Sequence, residues 1–353
     1  MRSHPHAVLG ALVVSLLLGG LGACGSNGPD EPAVATPPRA IGAEVIEGEG
    51  TFPVTVEHRF GETTIESVPE RVVSVGLTEQ DILLQFGVVP IAVTEWYGDQ
   101  PSATWPWAQD LLGDNEPVVL RTTNGIDFEK IADLQPDLIV GTNAGMTDRD
   151  YELLSAIAPT VSSVPDSLPY FSPWQDQVLQ VARALGREGD GQELVERVEA
   201  DYAAVAEFHR KDFAGKTATF SQGGPYDGQL YVYPDDLSTA FLTDLGFTIT
   251  PGLDKYAKPG EQALISAENV NLLEADVIVW ATEDQGMFET LQDFATVSQL
   301  PAVEENRSVY TDATLAGAIY FLTPLSLEYV LEHLTPSLVG ASRGEQPREF
   351  PTS

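Results

Sequence analysis

Four large aromatics, Trp96, Tyr97, Trp105 and Trp107, fall within twelve residues of an irregular stretch, WYGDQPSATWPW. Such rings offer flat apolar platforms with a polar handle on each tyrosine and indole, which suits holding a bulky ligand better than breaking its bonds. A second stretch, residues 221–233 (SQGGPYDGQLYVY), adds Gln222, Tyr226, Tyr231 and Tyr233 among glycines that let backbone come close to a ligand. Tyr231 and Tyr233 alternate, so they read equally as one face of a plain hairpin. Trp280 ends an apolar run and aims the residues after it at the same place, and Tyr320 lies in LAGAIYFLTP, read as a small-residue loop before the last helix.

Cations are scarce, at 18 Lys+Arg against 53 Asp+Glu and a net charge of −35. Such a chain repels a phosphate backbone, so nucleic acid is excluded as a partner. Arg121 follows a short apolar run and could meet ligand oxygens. A surface ion pair is the stronger reading of it. Lys255 and Lys258 flank Tyr256 in a loop with no assigned place. So few cations suit a neutral or mildly anionic chelate of hydroxamate or mycobactin type, and not a triscatecholate. A bare-metal site is not indicated, because His58, His209 and His333 are far apart in sequence. Haem is the alternative ligand, with Tyr97, Tyr226 or Tyr320 able to hold its iron. No G-x-S-x-G, no Walker loop and no G-x-G-x-x-G after a strand is present, and the one cysteine is Cys24, so an enzyme is not expected.

These residues must be carried on α/β elements. Residues 52–66 read as a hairpin around Gly61. Strand, helix and strand then follow at 71–75, 78–86 and 90–94, a parallel βαβ unit. The stretch IDFEKIADLQPDLIV (126–140) is echoed by ISAENVNLLEADVIV (265–279), with Glu129 matching Glu268 and Asp137 matching Asp276. Between the copies, residues 190–208 place Leu194, Val198, Tyr202 and Val205 at three- and four-residue steps, an amphipathic helix about 28 Å long. The expected fold is α/β, two Rossmann-like lobes joined by that one helix with the ligand cleft between them. Its divisions are a lobe at 51–187, the interdomain helix at 188–212, a second lobe at 213–342 and a tail at 343–353. Residues 1–23 carry Arg2, an apolar run and small residues, a signal peptide too short to span a membrane. Residues 24–50 read as a flexible tether.

The segments PERVVSVGLTEQDILLQFGVVPIAVT (69–94), LLSAIAPTV (153–161), both repeat copies and TEWYGDQPSATWPWA resemble the class III substrate-binding proteins of ABC importers for iron siderophores, haem and cobalamin. The closest likeness is to actinobacterial iron-siderophore lipoproteins. Leu21-Gly22-Ala23-Cys24 is similar to a lipobox, which implies a lipid on Cys24 and attachment at the extracytoplasmic face of the cell membrane. The resemblance further implies a monomer with no cofactor, little hinge motion, and docking of Glu129 and Glu268 onto arginines of an ABC permease, one from each lobe.

Overall fold

The computed structural model describes residues 44–123, 125–167, 170, 172–294 and 296–351. The signal peptide, Cys24 and most of the expected tether lie outside the described residues. The fold begins at an antiparallel hairpin of β1 (Val54–His58) and β2 (Gly61–Ile65), as the turn at Gly61 predicts. A five-stranded sheet follows, built from β3 (Val72–Ser74), β4 (Ala92–Glu95), β5 (Val118–Arg121), β6 (Leu138–Gly141) and β7 (Thr160–Ser162). Its order is β5-β4-β3-β6-β7 and every pair is parallel. β3, β6 and β7 are buried at every position, as expected when helices cover both faces of a parallel sheet. The first lobe's helices are α1 (Glu79–Gln85), α2 (Pro106–Leu112), α3 (Phe128–Asp133), α4 (Asp148–Ser155) and α5 (Trp174–Ala184).

The long helix is α6 (Glu188–Phe208), and its buried side includes Leu194, Val198, Tyr202 and Val205, the residues the periodicity singles out. After the short α7 (Arg210–Phe213) come β8 (Thr217–Gln222), β9 (Gln229–Tyr233), α8 (Ala240–Thr243), β10 (Thr248–Ile249), β11 (Ala263–Ser266), β12 (Val277–Ala281), α9 (Gln285–Asp293), α10 (Pro301–Glu304), β13 (Ser308–Tyr310), α11 (Ala313–Phe321) and α12 (Pro324–Arg343). The second sheet runs β11-β9-β8-β12-β13, with β10 also paired to β8. β8, β10, β12 and β13 are mutually parallel, and β9 and β11 extend the sheet antiparallel. Among the described residues no helix is long and apolar enough to cross a membrane.

The internal repeat corresponds to one structural device used twice. Asp137 accepts backbone N–H bonds from Glu70 and Arg71 at 2.8 Å, fixing the start of β3 against β6. Asp276 accepts the Thr217 N–H at 2.8 Å and its hydroxyl at 2.9 Å, fixing the start of β8 against β12. The Thr217 N–H is the largest cause holding the Asp276 carboxyl below its usual value, with the Thr217 hydroxyl and the charges of Arg307 and Lys216 adding to it.

Several elements differ from the sequence reading. Residues 313–321 are helix α11 and not a loop, because an all-round apolar segment shows no helical stripe to read. The second repeat copy forms a 3-10 turn, Ala267–Leu273, where a helix is expected. Thr78 precedes α1 but does not cap it with its side chain; its hydroxyl donates to Gln177 Oε1 at 3.2 Å instead. α12 runs on to Arg343 and packs against elements of both lobes, α1 and α2 on one side and α7, β12 and β13 on the other. α6 remains the helix that carries the chain between the lobes, and α12 adds packing across them. The lobes also meet directly. The Asp81 carboxylate on α1 accepts from Trp107 Nε1 and Thr323 Oγ1, both at 2.7 Å, while Phe321 stands edge-on to Trp105 and Trp107 at 5.9 and 5.5 Å. A Cβ on Gly317 of α11 would lie 2.6 Å from the Trp105 ring, so only glycine admits that indole.

Candidate functional site

In a parallel sheet the loops after the strands gather at one edge, the carboxyl ends, and that edge is where α/β folds hold ligands. The loops after β3, β4, β5 and β6 form it in the first lobe, and those after β8 and β12 in the second. Between the two edges lie two adjoining cavities of about 560 and 570 Å³, which share Trp96, Ser238 and Tyr320. Each is within the size range of a small-molecule site.

Trp96 stands between them, 39% exposed, edge-on to Tyr97 at 5.0 Å and tilted against Phe321 at 5.5 Å. Tyr97 and Tyr320 line the first cavity with ring centroids 6.0 Å apart, and Tyr233 joins them from β9. The Tyr97 hydroxyl is buried and has no hydrogen-bond partner among the described residues. Burial pushes the Tyr97 phenol up, with the charge of Glu283 adding to it. Tyr320 is raised well above the ordinary phenol value for the same leading cause. These rings are neutral hydroxyl donors. Gln222 and Tyr226 line the same cavity, Tyr226 at its outer rim with 66% exposure. Gly223 lets this loop lie against the backbone of Ala281 and Thr282, where a Cβ would collide with main-chain atoms.

The second cavity is floored by a polar relay. Glu79 is fully buried and accepts from the Asn143 N–H at 2.6 Å, Thr142 Oγ1 at 3.1 Å and the Thr78 N–H at 3.2 Å. Burial raises its carboxyl pKa, and these bonds pull the other way. Asn143 Nδ2 donates to Thr78 Oγ1, which in turn donates to Gln177, so the two amides lining the cavity are held by one buried acid. Asn143 Oδ1 keeps no partner among the described residues.

The other expected ligand residues lie elsewhere. Trp105 and Trp107 are buried, at 2% and 8% exposure, and stack on each other at 5.1 Å between the lobes. Pro106 at the first turn of α2 carries the chain inward there, so these two rings form the cleft's foundation and do not line it. Trp280 is fully buried in the second lobe's core with its indole N–H on Ser308 Oγ at 3.4 Å. Tyr231 contacts Tyr226 edge-on at 6.2 Å without lining either cavity. Arg121 ends β5, exposed, 3.6 Å from Asp99, beside a separate depression of only about 10 Å³. Lys258 pairs with Glu261 at 3.1 Å. Glu283, Gln262, Asn143 and Gln177 were not singled out from the sequence. Glu283 was within reach of that reading, since it sits two residues past the strand that Trp280 helps to define.

No Lys or Arg is among the residues lining either cavity. Among the described residues no group of three or more His, Cys, Asp or Glu could hold a metal ion. His58 is hydrogen-bonded to Thr63 at 2.9 Å and His333 packs on Tyr329 at 4.0 Å, both away from the cleft. Glu129, in the first turn of α3, and Glu268, in the 3-10 turn, are exposed, and neither makes an ion pair among the described residues. Each precedes a strand, β6 or β12, whose far end opens on the cleft, so the topology puts both acids on the cleft side, one per lobe.

A family profile described as periplasmic binding protein matches residues 72–315. A periplasmic solute binding protein from Mycobacterium smegmatis is 42% identical, with a TM-score of 0.76 over 82% of this chain and 98% of that one. Streptococcus pneumoniae PiaA in complex with ferrichrome is 26% identical, with a TM-score of 0.72 over 82% of this chain and 99% of that one. The iron(3+)-hydroxamate-binding protein FhuD of Bacillus subtilis is 28% identical over 95% of this chain and 99% of its own length.

Proposed function

Because the chain belongs to the periplasmic binding protein family, we propose that it captures a ferric siderophore of hydroxamate or mycobactin type in the cleft between its lobes and delivers it to an ABC importer. The observation that carries the ligand class is a cleft lined by Trp96, Tyr97, Tyr233 and Tyr320 and by no cation. A triscatecholate brings several negative charges that such a site leaves unpaired. A hydroxamate chelate brings a neutral iron centre, apolar arms and carbonyl oxygens that phenol and amide donors can meet. The hydroxamate- and ferrichrome-binding relatives support the same class. Haem iron held by Tyr97 or Tyr320 would need a tyrosinate there, and the burial that raises both disfavours one. In this reading a lipid on Cys24 holds the protein at the extracytoplasmic face of the membrane, and Glu129 and Glu268 meet the permease.

Tryptophan fluorescence provides the test. Among the described residues, Trp96 is the tryptophan that lines the two cavities of about 560 and 570 Å³. Saturable quenching by a ferric trishydroxamate is expected, with most of the amplitude gone in Trp96→Phe. Quenching by haem alone, with a shifted Soret band, would replace the siderophore reading with the haem one.

A further inference from the structure

Glu283 is a carboxylate that no other part of the described structure uses. It sits two residues past the end of β12, half-buried, in the wall of the cavity that also holds Tyr97, Tyr233 and Tyr320. Among the described residues it makes no hydrogen bond or ion pair, and the charge that acts on it is that of Asp284, a second negative one. Asp150, the acid lining the other cavity, is by contrast occupied by the N–H and hydroxyl of Thr147. A carboxylate facing a partly desolvated cavity is costly unless the ligand brings the opposite charge. The faces of the surrounding rings carry negative potential and attract the same sign of charge. Acid and rings therefore select for a cation.

The iron centre of a trishydroxamate chelate cannot supply it, because three hydroxamate anions cancel Fe³⁺. The positive charge has to come from a group on the organic arms. Resting on the siderophore reading above, we propose that Glu283, with Tyr97, Tyr233 and Tyr320, forms a subsite for an ammonium group carried by the chelate, so that the preferred ligand is a monocationic ferric hydroxamate. The ammonium would form a charge-assisted hydrogen bond with the carboxylate at the C-terminal edge of the second sheet.

The experiment compares three ligands by fluorescence titration of the purified protein. These are ferrioxamine B, which has a terminal primary amine, its neutral N-acetyl derivative, and its N,N-dimethyl derivative, which keeps the charge at similar bulk. The two cationic chelates are expected to bind about tenfold more tightly than the acetylated one. In Glu283→Gln that ratio is expected to fall to about twofold or less, with near-ultraviolet circular dichroism reporting that the variant is folded. Equal affinity for all three chelates, or a cation preference that survives Glu283→Gln, would overturn the subsite and leave the siderophore reading standing. Binding of none of them would overturn both. If Glu283→Gln does not fold, the comparison on the unaltered protein decides the matter by itself.

Discussion

Glu328 lies on α12 close to Arg197 and Asp201 of α6, with one carboxylate oxygen buried and without a partner. Burial pushes its pKa up from 4.5 to about 8; Arg197 pulls it down, and Asp201 and Glu44 add to the rise. A carboxyl whose folded pKa is raised favours the folded state while protonated. Its contribution is fully present below pH 4.5 and is lost as pH rises through about 8. Between those limits the native state binds more protons than the unfolded chain, so stability falls with pH. Asp81, pushed up to about 6 by burial, contributes in the same sense over a lower window. Glu328→Gln removes the first term. Its melting temperature is expected to match wild type at pH 4.5 and to exceed it by several degrees at pH 8.5, at about 2 °C per kcal/mol. A gap that does not widen with pH would remove Glu328 from this account. Single residues were the least legible scale. Trp96 and Trp107 belong to the same aromatic stretch, yet one stands in the cleft and the other donates to Asp81 beneath it. Only three-dimensional packing separates them. Trp280 was hidden because β12 is buried at every position and offers no alternation to show which side faces the ligand.

Elements were legible where a period or a repeat exposed them. The long helix showed its stripe, the hairpin showed Gly61, and the parallel strands showed short apolar runs between helices. α11 gave no stripe, being apolar all round, and β5, with a single buried position and Arg121 at its end, did not stand out from a loop. The second repeat copy matched its partner in residues but settled as a 3-10 turn, since sequence similarity constrains the Asp276 clamp more tightly than the helix type. The two copies bear directly on docking. Each ends its helical turn in a strand clamped by Asp137 or Asp276, so Glu129 and Glu268 are presented from rigid supports and remain unpaired. Glu129→Ala combined with Glu268→Ala is expected to leave siderophore affinity within about twofold, since neither residue lines the cavities, and to abolish uptake in cells. Normal uptake by the double variant would remove these residues from the docking surface.

At the scale of the molecule, the lobes are joined at more than one level. α6 and α12 run alongside each other, Tyr202 of α6 donates to the Leu327 carbonyl at 3.1 Å, and the Trp105–Trp107 stack is wedged against Phe321 and Gly317. Opening the cleft wide would pull this buried aromatic contact apart, at a cost of several kcal/mol on the scale of losing a buried aromatic side chain. Ligand binding is therefore expected without a separate closure step. In stopped-flow quenching, the observed rate should be single-phase and rise linearly with siderophore concentration; a rate that levels off at high concentration would reveal a conformational step. For the importer role proposed above, the Trp105 wedge also bears on how the permease learns that cargo has arrived. A receptor that keeps one shape offers the same docking acids whether full or empty, so its outline carries no message about occupancy. In the proposed reading, loaded and vacant copies then contend for the same permease on equal terms, and the flow of iron follows the fraction of the receptor pool that is filled.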